Sequence, residues 1–193
     1  MHKGNKTGPN RPDPINPDTE SRACMKNRLA TAAAAFAFLL ASLPSAFALD
    51  KPTGEVILTI TGSVSQTNGD GKSNFDLAML EALEQHKTKA ETPWTEGKPS
   101  FDGPLLKAVL EAAGAKGSKL VVKALNDYSA DVPVEDAFEL DTILATRIDG
   151  KELSVREKGP LFLIYPFDTN PELYNEKYFG RSVWQIREIE VVE

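Results

Sequence analysis

Cysteine and histidine are nearly missing from this chain. Its 193 residues hold one cysteine, Cys24, and two histidines, His2 and His86. A zinc site would need to be carboxylate-rich, and no Asp/Glu spacing supports one. A Ser–His–acid triad would have to use His86, and the sequence contains no nucleophile elbow. The only glycine-rich stretch, Asn68-Gly69-Asp70-Gly71, lacks the spacing and the strand–helix setting of a phosphate loop. Positive charge is also scarce, with 22 Lys and Arg against 28 Asp and Glu, a net of −6. With no basic run, nucleic acid and anionic lipid are disfavoured as partners.

The one long apolar run lies near the front. Leu29 to Leu43 is dominated by Ala, Leu and Phe, follows Lys26 and Arg28, and is broken by Pro44. Ala46-Phe47-Ala48 then supplies a small-x-small cleavage pattern. Residues 25–48 therefore read as a secretory signal peptide, too short for a membrane span. Cleavage after Ala48 would start the mature chain at Leu49 and place it in the periplasm of a two-membrane bacterium. Residues 1–24 are polar and rich in Pro and Asn, with no apolar period that could pack. Either translation starts at Met25, or residues 1–24 are a long n-region. Both readings remove Cys24, so residues 49–193 carry no sulfur nucleophile or thiolate ligand. That segment has 16 basic and 25 acidic residues, a net of −9.

Residues 49–193 alternate strand and helix signals. Glu55 to Thr61 alternates like a strand, with Val56, Leu58 and Ile60 on one face. Asn68 to Gly71 is a turn. Asp76 suits the cap of a helix carrying Leu77, Leu80 and Leu83, with His86 at its solvated polar end. Gly103-Pro104 predicts the start of a second helix, with Pro at its first position. Leu105, Leu106, Val109, Leu110 and Ala113 form its buried stripe, and Gly114 ends it. Lys119 to Leu125 and Tyr128 to Val132 read as strands around an Asn126-Asp127 corner. Ile143 to Ile148 leads into Asp149-Gly150, a type I′ hairpin dipeptide. Leu161 to Tyr165 reads as an interior strand, and Ser182 to Val192 as a closing strand with alternation blurred at Gln185 and Arg187. Glu135-Asp136 and Glu139-Leu140-Asp141 read as a solvated acidic segment. The expected fold is α+β, one domain over residues 49–193 with a mixed sheet and about two main helices.

Five landmarks from Phe101 onward resemble, in order, the sulfite-oxidase-like molybdopterin-binding domain family. A "W-x-G-x-P-L" opening resembles Phe101-Asp102-Gly103-Pro104-Leu105-Leu106. An Asp-Gly-Tyr corner and Ile-Pro strand resemble Asn126-Asp127-Tyr128 and Val132-Pro133-Val134. An "I-L-A … N-G-K-P-L" hairpin resembles Ile143-Leu144-Ala145 and Asp149-Gly150-Lys151-Glu152-Leu153. A "G-x-P-x-R-L-V-x-P" strand resembles Gly159 to Pro166, and a closing "G-x-R-x-V-K-W" resembles Gly180-Arg181-Ser182-Val183-Trp184. The resemblance covers about 85 residues and implies the family's fold and a molybdopterin-dependent oxidoreductase activity.

The departures from that pattern cut against the cofactor. The resemblance implies a molybdenum-ligating cysteine upstream of the second helix, where this chain reads Ala90-Glu91-Thr92-Pro93-Trp94. A hydroxyl or carboxylate does not replace a soft thiolate without changing the metal's electronics. The arginine that the resemblance implies in the buried strand appears as Phe162 or its neighbour, and the lysine expected between Val183 and Trp184 is missing, though Arg181 remains. The resemblance further implies cofactor loading in the cytoplasm and folded export, yet Lys26-Asn27-Arg28 lacks a twin-arginine pair. Two readings follow. The favoured one is an exported relative without a cofactor that binds a small anionic ligand or a membrane-associated periplasmic partner. The other is a molybdopterin oxidoreductase with a non-cysteine ligand set. If the family topology holds, the cleft is expected at Asn126, Asp127 and Tyr128, with Arg147, Arg181, Trp94 and Trp184 nearby. Each has an ordinary role too: turn formers at 126 and 127, a core ring at 184, a hairpin surface charge at 147.

Overall fold

The computed structural model describes Met1, Gly4 and residues 49–193. The expected polar extension and signal peptide, residues 1–24 and 25–48, lie outside the described residues apart from Met1 and Gly4. In chain order the elements are β1 (Val56–Gly62), β2 (Ser73–Asp76), α1 (Leu77–Glu81), β3 (Gln85–Lys89), β4 (Ser100–Pro104) and α2 (Leu106–Ala112). There follow β5 (Lys119–Ala124), β6 (Ser129–Pro133), α3 (Glu135–Phe138), β7 (Ile143–Ala145), β8 (Arg147–Ile148) and β9 (Lys151–Glu152). The last are β10 (Phe162–Ile164), α4 (Glu176–Arg181) and β11 (Ile186–Val192). The fold is α+β. None of the described helices is long and apolar enough to cross a membrane.

The principal sheet is mixed and five-stranded, in the order β2-β1-β11-β5-β6. Only β1 and β11 pair in parallel; their neighbours are antiparallel. Period-two alternation sorts its faces. Leu58, Ile60, Leu120, Val122, Ile189 and Val191 are buried on one side. On the other, Lys123 Nζ bridges Glu188 and Glu190 at 2.9 and 2.8 Å, and the Thr61 hydroxyl donates to Glu188. Val56 leaves the buried face because the β1–β2 register shifts between Val56 and Leu58, and it is exposed. The blurred alternation at Gln185 and Arg187 has the same kind of cause. Gln185 takes φ +56°, and the β11–β5 register shifts between Ile186 and Glu188.

The Asp76 cap forms as expected. Its carboxylate accepts from the Met79 amide at 2.9 Å, and also from the Thr53 and Gly54 amides, both at 2.8 Å. These bonds, the Met79 amide foremost, hold the Asp76 carboxyl below its ordinary value. A depressed carboxyl stabilises fully above the unfolded value and loses that contribution as pH falls through the folded one. Asp76→Ala should therefore lower the thermal midpoint at pH 7, and the gap from the parent protein should narrow in acid. Parallel melting curves at the two pH values check this.

Two local expectations are corrected. Helix α1 stops at Glu81 because the Gln85 side-chain amide donates to the carbonyls of Leu80 and Leu83. His86 consequently sits in β3 opposite Gly103, not at a helix end. Pro104 closes β4 instead of opening a helix, and α2 begins at Leu106 after Leu105. The reason is packing. A Cβ on Gly103 would come within 2.1 Å of the Leu144 carbonyl oxygen, so glycine here serves the close approach of β4 to β7. The stripe itself holds: Leu106, Val109, Leu110 and Ala113 are buried, and Gly114 leaves the helix at φ +60°. At seven residues α2 is the longest helix among the described residues.

Two smaller sheets complete the fold. The order β3-β4-β8-β9 ends in the Asp149-Gly150 hairpin, whose two residues have φ +51° and +78°, as a type I′ turn requires. Strand β10 pairs with β7 on one side and bridges to Trp184 on the other. Leu161 to Tyr165 is wholly buried throughout.

Candidate functional site

An apolar cleft of about 300 Å³ opens between α4 and the β5–β6 corner. Its position follows from local sequence. Asp127 adopts φ +63°, and the Asn126 side-chain oxygen accepts from the Tyr128 amide at 3.2 Å, which tightens the corner. The Leu125 amide donates to the Gln185 carbonyl and ties that corner to the start of β11. Asn175 caps α4, accepting from the Lys177 amide at 3.0 Å. The Tyr128 hydroxyl then donates to the Gly180 carbonyl at 3.0 Å and joins the two walls.

Trp94 forms the inner wall. Thr92 and Thr95 hydroxyls meet at 2.7 Å and close a turn that carries the indole inward. Its ring lies edge-on to Phe162, Phe179 and Trp184, with centroids 5.6 to 5.7 Å apart. Phe162 also meets Phe101 and Trp184, and it is 0% exposed. Such edge contacts each contribute about 0.5–1.5 kcal/mol beyond area burial.

Of the seven residues expected at a cleft, Trp94, Asn126, Tyr128 and Trp184 line this one together. Asp127 belongs to the same corner, but its carboxylate faces outward and pairs with Arg187 at 2.8 Å. Arg147 is elsewhere. Its guanidinium pairs with Glu81 and Glu152, because the β8–β9 hairpin places it on the four-stranded sheet. Arg181 sits at the end of α4 and turns away from the cleft.

What Arg181 meets is the residue that the sequence pattern hides. Asp136 is buried, contrary to the solvated reading of its acidic segment. Its Oδ2 accepts from Arg181 Nη1 at 2.8 Å and from the Tyr165 hydroxyl at 2.8 Å. Helix α3 brings Asp136 and Ala137 inward and leaves Glu135 and Glu139 exposed. Burial, followed by the Asp136 charge, pushes the Tyr165 hydroxyl far above its ordinary value, so it stays protonated and donates. The Tyr165 and Tyr178 rings meet at 5.0 Å and help to shield the group. The only sequence signal was the apolar neighbours Val134 and Ala137. Both partners are distant in the chain, 29 and 45 residues on.

The lining does not suit the cofactor that the resemblance implies. A molybdopterin needs cations for its phosphate and a thiolate for its metal. The cleft itself offers indole, phenyl and aliphatic surface, with an amide at Asn126 and hydroxyls at Tyr128 and Ser182; the nearest cations, Arg156 and Lys158, lie outside it in a concavity beyond Trp94 and Trp184, and neither concavity holds a thiolate. Trp94 fills the place of the expected thiolate segment, Phe162 the place of the arginine, and Arg181 is bound to Asp136. Among the described residues no three His, Cys, Asp or Glu side chains are grouped to hold a metal.

Comparison with solved structures finds the sulfane dehydrogenase SoxCD from Paracoccus pantotrophus. It aligns with a TM-score of 0.52 at 19% identity, over 75% of this chain and 40% of that one. The chain thus spans well under half of that neighbour, and the likeness is one of fold. No curated protein matches in sequence. A family model for the oxidoreductase molybdopterin binding domain matches residues 58–193. With all but the first two residues of β1 and every later element inside that match, and the sulfite-oxidase-like fold in place, the chain belongs to the oxidoreductase molybdopterin binding domain family.

Proposed function

We propose that this protein is an exported member of the family that works without a molybdenum centre and uses its aromatic cleft to capture a small organic ligand. The observation that carries the reading is the lining of the cleft. Aromatic and aliphatic carbon surrounds one amide and two hydroxyls, the usual balance of a small-molecule pocket. Such a surface rewards a flat apolar body and leaves few donors to fix its orientation. Support for export comes from the segment 25–48, with a cleavage motif ending at Ala48, and its lack of a twin-arginine pair suits export as an unfolded chain without cofactor.

The test uses protein isolated from its native periplasm, since a foreign host can fail to load a cofactor. Elemental analysis should find far less than one molybdenum per chain, and acid release should yield no fluorescent pterin. Intact mass on the same sample should correspond to a chain starting at Leu49. About one metal per chain would overturn the cofactor-free reading in favour of an oxidoreductase with an unusual ligand set. A retained leader, or recovery from the cytoplasm, would overturn export.

A further inference from the structure

The polar groups of the aromatic cleft are already partly spent. Apart from the indoles, three polar side chains line it: Asn126, Tyr128 and Ser182. The Tyr128 proton goes to the Gly180 carbonyl at 3.0 Å, and the Ser182 proton to the Tyr178 carbonyl at 2.9 Å. Each hydroxyl therefore turns only lone pairs to whatever enters, and swinging its proton inward gives up a bond. The Asn126 oxygen is taken by the Tyr128 amide, so that side chain has its NH2 group to offer. No carboxylate or cation lines the cleft. Arg156 and Lys158 lie beyond the indoles, where they share a second concavity with Asp149, Glu152 and Glu157. An anion brings acceptors alone and would face two hydroxyls already committed as donors, inside a segment of net charge −9.

Gly180 adds a constraint of shape. Every other glycine within residues 49–193 has a positive φ or a neighbouring atom within 4 Å of where a Cβ would sit. Gly180 has neither: its φ is not positive, and an added Cβ would meet nothing within 4 Å. It lies in the last turn of α4, and inside a helix glycine costs about 0.5–1 kcal/mol against alanine. Packing within the chain does not call for it, yet it lines the cleft beside Phe179. Bare backbone at that point suits the close approach of a flat ligand.

We infer that the cleft selects a flat, uncharged aromatic alcohol of the phenol type, with its ring against the Gly180 backbone and its hydroxyl among Asn126, Tyr128 and Ser182. A phenolic O–H supplies the proton that the two protein hydroxyls do not offer, and its oxygen accepts from the Asn126 NH2 group. The indoles and Phe179 cover the carbon skeleton. Gly180 then sets the bulk that the cleft admits. This deepens the proposed small-molecule function and rests on it.

The test is equilibrium dialysis of the full protein against three naphthalene probes at physiological salt. They are 2-naphthol, its methyl ether 2-methoxynaphthalene, which keeps the acceptor and loses the proton, and the anion naphthalene-2-sulfonate. The parent protein should bind the alcohol about tenfold more tightly than the ether, as one hydrogen bond provides, and the sulfonate most weakly. Tyr128→Phe combined with Ser182→Ala should bring alcohol and ether within about twofold of each other. Gly180→Ala and Gly180→Leu should weaken both uncharged probes, by about threefold and tenfold, as bulk enters the cleft. The same two variants should melt no lower than the parent protein, because the helix loses a glycine. Equal capture of alcohol and ether, tightest capture of the sulfonate, or undiminished binding by Gly180→Leu would overturn the assigned class while leaving the apolar cleft standing. Capture of none of the three would overturn the small-molecule reading together with it.

Discussion

Asp136→Ala should cost about 3–5 kcal/mol, the range for breaking a buried ion pair by removing one partner. The carboxylate is 11% exposed and the Arg181 guanidinium 18%, so solvent screens the pair weakly. Removing it strands two groups at once, because Arg181 loses its counter-charge and the Tyr165 hydroxyl its acceptor. Asp136→Asn keeps shape and an acceptor but loses the charge, and should cost about 1.5–3 kcal/mol. Tyr165→Phe removes one donor and leaves the ion pair, at about 1 kcal/mol. Asp136→Ala with Arg181→Met should recover part of the single-variant loss, since the uncompensated charge is gone. Urea unfolding with an unchanged slope reads all four. A loss under 0.5 kcal/mol for Asp136→Ala would show that water reaches the pair and that the network is not what holds α4.

The same substitution reaches the cleft. Helix α4 contributes Phe179 and Gly180 to its wall, and the Arg181–Asp136 pair anchors that helix at its C-terminal end. With the anchor cut, Trp94 should lose its edge contact with Phe179 and its emission should shift to the red. Asp136 is thus a positioning residue, acting on the cleft through α4 without touching what the cleft holds.

Much of the fold was legible because its signals are local. Asp76, the α2 stripe, Asp149-Gly150 and the apolar run at 161–165 each depend on neighbours within a few residues, and each forms as read. The errors share a cause as well. Gly103-Pro104 fits a helix start locally, but the approach of Leu144, about 40 residues later, fixes it as strand. Asp136 sits among Glu135, Glu139 and Asp141, so its local pattern is that of a solvated face; Tyr165 and Arg181 reverse this from far along the chain. Arg147 and Arg181 resembled cleft cations by family position alone, and carboxylates on other elements claim both. Trp94 and Trp184 rested on the same family topology, and they do line the cleft, where their rings pack against Phe162.

Phe162→Arg restores the residue that the family pattern places in the buried strand, and it should destabilise the domain by about 5 kcal/mol or more. Two losses combine. Phe162 gives up edge contacts with Trp94, Phe101 and Trp184, and its volume in the fully buried β10 strand is no longer filled by carbon. A guanidinium then enters a space walled by aromatic rings, with no carboxylate among them, where an unpaired charge is costly. Phe162→Leu separates the terms: it keeps an apolar side chain and should cost only about 2 kcal/mol. A small domain has about 5–15 kcal/mol of stability in total, so the arginine variant should be recovered unfolded or not at all. The yield of folded protein and urea unfolding of the two variants measure the difference. If Phe162→Arg folds within 1 kcal/mol of the parent protein, the space around β10 is wet enough to accept a charge. Aromatic packing would then not have replaced an anion-binding arginine, and a cofactor-free cleft would lose its physical ground.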